Sequence, residues 1–421
     1  MVFRGQLDGR TTLASVKDAS VSLAVDSHWI AAWDLGGRLY SMWKHGHTFR
    51  RGLNGRVLHK WGEGYDARSR VHIDGAEAHA LAEESAGVLR RAVSRMIERP
   101  SEWSDHSGRH PDAGAIAMFE RCARFDARAA ADDAARFGTV FAPVGILPPD
   151  QYLSIVVQAT EGCSFGTCTF CDLYHDRYRV KSVEEFAEHV RAVRHYLGDS
   201  AILRNRSVFV GAANALAVPM ARLMAYFEAL NEVFGEIAGR PALARLPGGP
   251  RGPGFQPVVC SFVDGFTGLH KSADDYAALR ASGLRRVYLG LESGHDPLLA
   301  FVRKPATRGQ AVETVRALKA GGVSVGVIVM AGLGGRRFAG GHVADTIRAV
   351  NAMALDARDL LYFSDLVEVP GTAYPQLAAA EDLRPLPLEE RLAQIAAIRA
   401  GLRFPAAPPR SARYDVREFV Y

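Results

Sequence analysis

The chain has 421 residues, enough for more than one domain or for one barrel with an extension. Its 48% hydrophobic and 23% charged residues are those of an ordinary globular protein, and no apolar run approaches membrane-spanning length. The net charge of +5, from 51 basic and 46 acidic residues, is too small to demand nucleic acid as a partner and does not forbid it. Five cysteines, an odd and sparse number, argue against a secreted disulfide framework. Met1-Val2-Phe3-Arg4-Gly5-Gln6 does not begin a signal peptide, so a reducing, cytoplasmic setting is expected.

Residues 1–74 read as short strands with turns. Trp29-Ile30-Ala31-Ala32-Trp33-Asp34 and Arg38-Leu39-Tyr40-Ser41-Met42-Trp43, joined through Gly36-Gly37, form a hairpin pattern. A stretch with Lys44, Arg50, Arg51, Arg56, Lys60, Arg68 and Arg70 interleaves Phe49, Trp61 and Tyr65. Such spacing suits phosphate contacts and base stacking, and equally a half-buried sheet with a solvated face; the second reading is preferred because no known nucleic-acid module is present. His45, His47 and His59 lack a metal-ligand pattern. Residues 75–99 show one amphipathic helix with Leu81, Val88, Leu89, Ala92 and Met96 on its stripe, ended by Pro100. A second helix over 113–123 holds Cys122 beside Met118 and Phe119, a packing position. The division expected is an α+β region over 1–145 (strands to about 74, helices about 75–140), a second domain over 146–375 and a C-terminal helix and tail over 376–421. The tail 410–421 could close the barrel or trail over the surface, and surface packing is preferred.

The cysteines concentrate at one place. Cys163, Cys168 and Cys171 stand in the run Gly162-Cys163-Ser164-Phe165-Gly166-Thr167-Cys168-Thr169-Phe170-Cys171, after an apolar strand at 153–157. Thiolates select zinc or an iron–sulfur cluster. Three protein ligands on a four-iron cluster leave one iron open, whereas the same cysteines with His175 would satisfy tetrahedral zinc. Downstream, strands near 207–210, 257–262, 286–293, 323–330 and 359–363 alternate with helices, the pattern of parallel β/α units. With the cysteine strand they make six.

The cysteine loop resembles that of radical S-adenosylmethionine (SAM) enzymes, in a C-x4-C-x2-C form one residue longer than their commonest spacing. Further similarities are Val208 to Leu216, the strand Arg286-Val287-Tyr288-Leu289-Gly290-Leu291-Glu292-Ser293, Arg303-Lys304-Pro305-Ala306-Thr307, Gly332-Leu333-Gly334-Gly335 and Val369-Pro370-Gly371-Thr372. The resemblance covers about 150–375 and implies an α/β fold, the partial (β/α)6 barrel. It implies a 4Fe–4S cluster on Cys163, Cys168 and Cys171, and SAM on its open iron. Phe170 would pack beside the adenine, and the turn Gly211-Ala212-Ala213-Asn214 would meet the methionyl amine. Ser261 joins the cofactor-binding positions. Glu292 would accept the ribose hydroxyls, or else pair with Arg285 or Arg303. Lys304 would face the SAM carboxylate, and Val327 and Ile328 the adenine.

The implied reaction is reductive cleavage of SAM to a 5′-deoxyadenosyl radical that takes hydrogen from a small molecule or biosynthetic intermediate. A one-electron reductant such as flavodoxin or ferredoxin, and no membrane, would be the partners. Cys122 and Cys260 cannot build a second cluster, and no Asp-x-His-x-x-Gly cobalamin motif occurs. The alternatives are an RNA-modifying radical SAM enzyme using the basic stretch 44–70, and a zinc-stabilised binding protein. The N-terminal region and the segment after Pro375 are the expected covers of the barrel.

Overall fold

The computed structural model describes residues 1–174, 176–204, 206–235, 258–369 and 371–421. The Gly/Pro-rich run 247–254, which reads from the sequence as a loop, and His175, Pro257 and Pro370 lie outside the described residues. No helix among the described residues is long and apolar enough to cross a membrane.

Residues 2–73 form an eight-stranded antiparallel meander in which each strand pairs with the next. Its strands are β1 (Val2–Leu7), β2 (Arg10–Val16), β3 (Ser20–Val25), β4 (Trp29–Asp34), β5 (Leu39–Lys44), β6 (His47–Arg51), β7 (Val57–Trp61) and β8 (Ser69–Ile73). Asp8-Gly9 (φ 52° and 77°) and His45-Gly46 (φ 48° and 85°) make two of the turns. Successive left-handed residues match the twist of the strands they join. Alternation places Phe3, Leu23, Trp29, Trp33 and Met42 in a core shared with α1 (Gly75–Glu98) and α2 (Ala113–Ala123). α1 contributes Ala82, Leu89, Ala92 and Met96, and Asp112 caps α2 by accepting the Ala115 N–H at 2.7 Å. Cys122 is fully buried in this core, and burial pushes its thiol up to about 12, as suits a packing residue. α3 (Ala127–Val140) follows.

The second sheet is parallel. It runs through β9 (Ile155–Gln158), a ribbon of β10 (Thr160–Glu161) with β11 (Arg179–Val180), α4 (Val183–Leu197), α5 (Ala201–Arg204), β12 (Val208–Gly211) and α6 (Met220–Phe234). Next come β13 (Val259–Val263), α7 (Ala273–Ala281), β14 (Leu284–Glu292), α8 (Asp296–Phe301), α9 (Arg308–Ala320), β15 (Ser324–Ala331) and α10 (Gly335–Ala352). β16 (Leu360–Asp365), α11 (Tyr374–Ala380), α12 (Leu388–Gly401) and β17 (Arg410–Tyr414) complete it. The strand order is β9-β12-β13-β14-β15-β16-β17, and every neighbouring pair is parallel. The six strands expected are present in an α/β fold of the partial-barrel kind.

The tail departs from expectation. Instead of lying on the surface, 410–414 add a seventh strand beside β16, from Leu360↔Arg410 to Ser364↔Tyr414. Tyr414, Phe419, Val420 and Tyr421 are all buried. The Tyr421 hydroxyl accepts the Val156 N–H at 2.8 Å, and its backbone oxygen accepts the Asn54 N–H at 2.9 Å. Asp415 and Glu418 hold it from the other side: Arg70 reaches Glu418 at 2.7 Å and Asp415 at 3.7 Å, and Lys60 reaches Glu418 at 3.0 Å. α10 opens at Gly335 directly from a left-handed glycine turn.

The basic stretch 44–70 is largely satisfied within the chain. Lys44 pairs with Glu84, Arg51 with Asp133, and Arg50 lies over the Tyr152 ring at 5.1 Å, in addition to Lys60 and Arg70.

Two buried histidines make stability depend on pH. His189 accepts the Gln158 N–H on Nε2 at 3.0 Å, and His342 meets Ser293 Oγ at 2.7 Å. Burial lowers each from 6.5 to about 4, so both fold neutral. Stability is then lost as pH falls from about 6.5, and the loss is complete near about 4. We expect about 2 kcal/mol per histidine between pH 7 and pH 5. Urea midpoints at the two pH values check this, and His189→Gln should remove about half of the difference.

Candidate active site

The three loop cysteines line one cavity of about 260 Å³, with walls supplied from the C-terminal ends of the parallel strands. Local structure fixes the loop that bears them. Gly162 turns in at φ 67°, and a Cβ there would stand 2.2 Å from the Asp176 carbonyl oxygen, so only glycine fits. Glu161 closes the neck: Arg179 reaches it bidentately at 2.8 and 3.1 Å, and Lys181 at 2.5 Å. Arg179 then continues to Glu185 at 2.7 Å, the residue that completes the capping box of α4. The far side of the loop is sewn to the turn after α8. The Thr169 N–H donates to Val302 O at 3.0 Å, and Thr167 Oγ1 to Arg303 O at 3.1 Å.

That turn delivers Lys304 to the thiols. Its Nζ lies 3.6 Å from Glu292 Oε1, and both side chains are nearly buried. The Glu292 partner is therefore Lys304 rather than Arg285 or Arg303. Glu292 ends β14 at a register shift with φ 56°. Holding a non-glycine residue in that region costs about 1 kcal/mol or more, a cost that recurs at functional sites. Burial pushes the Glu292 carboxyl up against the pull of Lys304. Burial alone would lower Lys304, but Glu292, Cys168 and Asp264 outweigh it and raise it. Burial raises the Cys168 thiol to about 11, with Lys304 the main opposing pull.

Asn214 is 2% exposed and ties three segments together. Its Nδ2 donates to Thr267 Oγ1 at 2.7 Å, to Ser164 Oγ at 3.3 Å and to the Asp264 carboxylate. Ala213, Phe170 and Ile328 line the same cavity. Four expected positions do not. Gly211 and Ala212 turn toward β9 and β10, where Gly211 O accepts the Ala159 N–H at 2.7 Å and the Ala212 N–H donates to Thr160 Oγ1 at 3.2 Å. Ser261 is fully buried, donating to Val210 O at 2.8 Å, and Val327 faces the other side of the sheet. Cys260 is buried packing, its thiol pushed up to about 12.

Sequence reasoning missed Asp264, Ser364, Asp365, Tyr414 and Val416, all lining the cavity. A carboxylate just past the end of a barrel strand was the available signal for Asp264. Of the two expected covers, the C-terminal segment supplies Tyr414 and Val416, whereas no residue of 1–145 lines the cavity.

The donor set suits an iron–sulfur cluster. The three thiols are free of disulfides, share one cavity end and influence one another's ionisation, with an ammonium beside them. Among the described residues no three His, Cys, Asp or Glu side chains converge on a single ion position. A cubane instead spreads its thiolates over separate irons.

Residues 157–339 match the family model described as the radical SAM superfamily. The chain carries a radical SAM domain. Enzymes of this superfamily use a 4Fe–4S cluster and SAM. Among solved structures, coproporphyrinogen III oxidase (HemN) of Escherichia coli, a radical SAM enzyme, is similar at 15% identity over 63% of this chain and 54% of its own, with a TM-score of 0.39. The archaeal Elp3 of Methanocaldococcus infernus is similar at 13% identity over 62% of this chain and 56% of its own, TM-score 0.39. The cobalamin-dependent radical SAM enzyme OxsB is similar at 14% identity over 59% of this chain, TM-score 0.34, and this chain spans only 31% of OxsB. No curated protein matches the chain in sequence.

Proposed function

We propose that Cys163, Cys168 and Cys171 hold a 4Fe–4S cluster whose open iron takes SAM, and that the enzyme acts on a small molecule held in the same cavity. What carries the reading is the convergence of three thiols, the Glu292–Lys304 pair and Asn214 on one cavity of a radical SAM domain. When bound, the cluster supplies the electron that cleaves SAM and so yields the 5′-deoxyadenosyl radical that takes substrate hydrogen. Lys304 sets a buried positive charge against the SAM carboxylate, and Glu292 offers an acceptor to two ribose hydroxyls. Asn214 holds the loop of Ser164 against that of Asp264. Phe170 and Ile328 give the adenine an apolar wall that excludes water. The electron comes from a small one-electron donor such as flavodoxin or ferredoxin. The pairing of Lys44, Arg51, Lys60 and Arg70 inside the chain weighs against RNA as substrate.

Anaerobic reconstitution followed by SAM and dithionite tests the reading, with 5′-deoxyadenosine measured by mass spectrometry. A colourless protein that binds zinc and no iron would return the chain to the class of zinc-stabilised binding proteins. Glu292→Gln keeps the shape and loses the charge. We expect SAM affinity to fall about tenfold, equal to about 1.4 kcal/mol, in calorimetric titration of the cluster-loaded protein.

A further inference from the structure

We propose that the substrate side of this cavity takes an uncharged, largely apolar molecule and rejects phosphorylated or carboxylate-bearing ones. The inference rests on the radical SAM reading of the same site and adds the substrate class to it. Among the described residues, the charged groups lining the cavity are the carboxyls of Asp172, Asp264, Glu292 and Asp365 and a single ammonium, Lys304. Lys304 already faces Glu292 at 3.6 Å and stands beside the thiols, at the cluster end. An anionic group entering away from Lys304 would leave water and find no second cation among the described lining residues, which is the costliest kind of burial.

The carboxylates of Asp365 and Asp264 already have partners inside the chain. Asp365 is held by Arg413 Nε at 2.7 Å and by Arg391 at 3.5 Å, and Arg413 also reaches Asp66 at 2.6 Å. Neither arginine lines the cavity. Asp264 accepts the Phe266 and Thr267 N–H groups at 2.8 and 2.6 Å and also holds Asn214. Asp172 has a partner too. The remaining wall near the tail is apolar, with Leu147, Pro148, Leu366, Val367 and Val416, and Ser364 and Tyr414 set beside them. Such a surface favours apolar area and offers hydroxyls for a single uncharged polar group.

A matched series separates charge from shape: 2-phenylethanol, 2-phenylethylamine and phenylacetate, titrated near neutral pH into the anaerobic, cluster-loaded, SAM-bound enzyme. The alcohol should bind at least about tenfold more tightly than phenylacetate, and the amine no better than the alcohol. Phenylacetate or the amine binding most tightly would overturn the proposal, as would an alcohol that fails to bind at millimolar concentration. Val416→Trp and Leu366→Trp narrow the same wall, and each should weaken the alcohol at least about tenfold. Unaltered binding in a cluster-loaded variant would place the probe elsewhere and sink the assignment. Wild-type protein that takes up neither iron nor SAM fails earlier, and then it is the radical SAM reading that falls.

Discussion

Cys168→Ala, reconstituted without oxygen and given SAM and dithionite, should form no detectable 5′-deoxyadenosine, and Cys163→Ala and Cys171→Ala should do the same. Each thiolate would hold a different iron, so none has a deputy. The two other cysteines cannot substitute, being buried in separate cores at Cys122 and Cys260 with their thiols held protonated. The fold should survive, since the loop is fixed by Gly162, the Glu161 ion pairs and the hydrogen bonds to Val302 and Arg303 rather than by sulfur. Circular dichroism melting of the apo variants therefore serves as the control. Product from one variant equal to wild type would remove that cysteine from the ligand set.

Asp133→Ala should destabilise the apo protein by about 3–5 kcal/mol, read as a lower urea midpoint. Asp133 is 5% exposed and joins the N-terminal region to the barrel side of the chain. Its Oδ1 accepts from Arg38 Nε at 2.7 Å and from the Tyr196 hydroxyl at 3.1 Å, and its Oδ2 from Arg51 at 3.2 Å. Alanine would leave the buried Arg51 guanidinium without a counter-charge and Arg38 with Asp34 alone, which is worse than never having had the pair. Asp133→Asn should cost less, because it keeps an acceptor for one arginine. A loss under about 1 kcal/mol would mean that water enters and replaces the carboxylate.

The parallel strands were legible because buried strands read as apolar runs separated by helices of a different period. Which face of such a strand meets the cavity was not legible. β15 is apolar from Val325 onward, so nothing in Val327 and Ile328 says which one turns inward, and Ile328 does. The same ambiguity favoured Ser261 over Phe262 and Val263, which line the cavity. Glu292 and Lys304 could be marked singly, but their pairing depends on the bulge at Glu292 and on the turn after α8. The strand 410–414 was hidden for a different reason. Its Arg413 pairs with Asp66, and the Asp415 and Glu418 that follow it pair with Arg70 and Lys60, all more than 300 positions away, while Arg410-Ser411-Ala412-Arg413-Tyr414 carries no hydrophobic alternation of its own.

The Asp133 hub and the Arg413, Lys60 and Arg70 bridges have a bearing on how the molecule comes apart. The seam between meander and barrel is fastened by full charges in addition to apolar contact. Salt screens pairs as buried as Arg51–Asp133 and Arg70–Asp415 far less than it screens exposed ones. Added sodium chloride should therefore leave the urea midpoint nearly unchanged, with meander and barrel unfolding in a single transition.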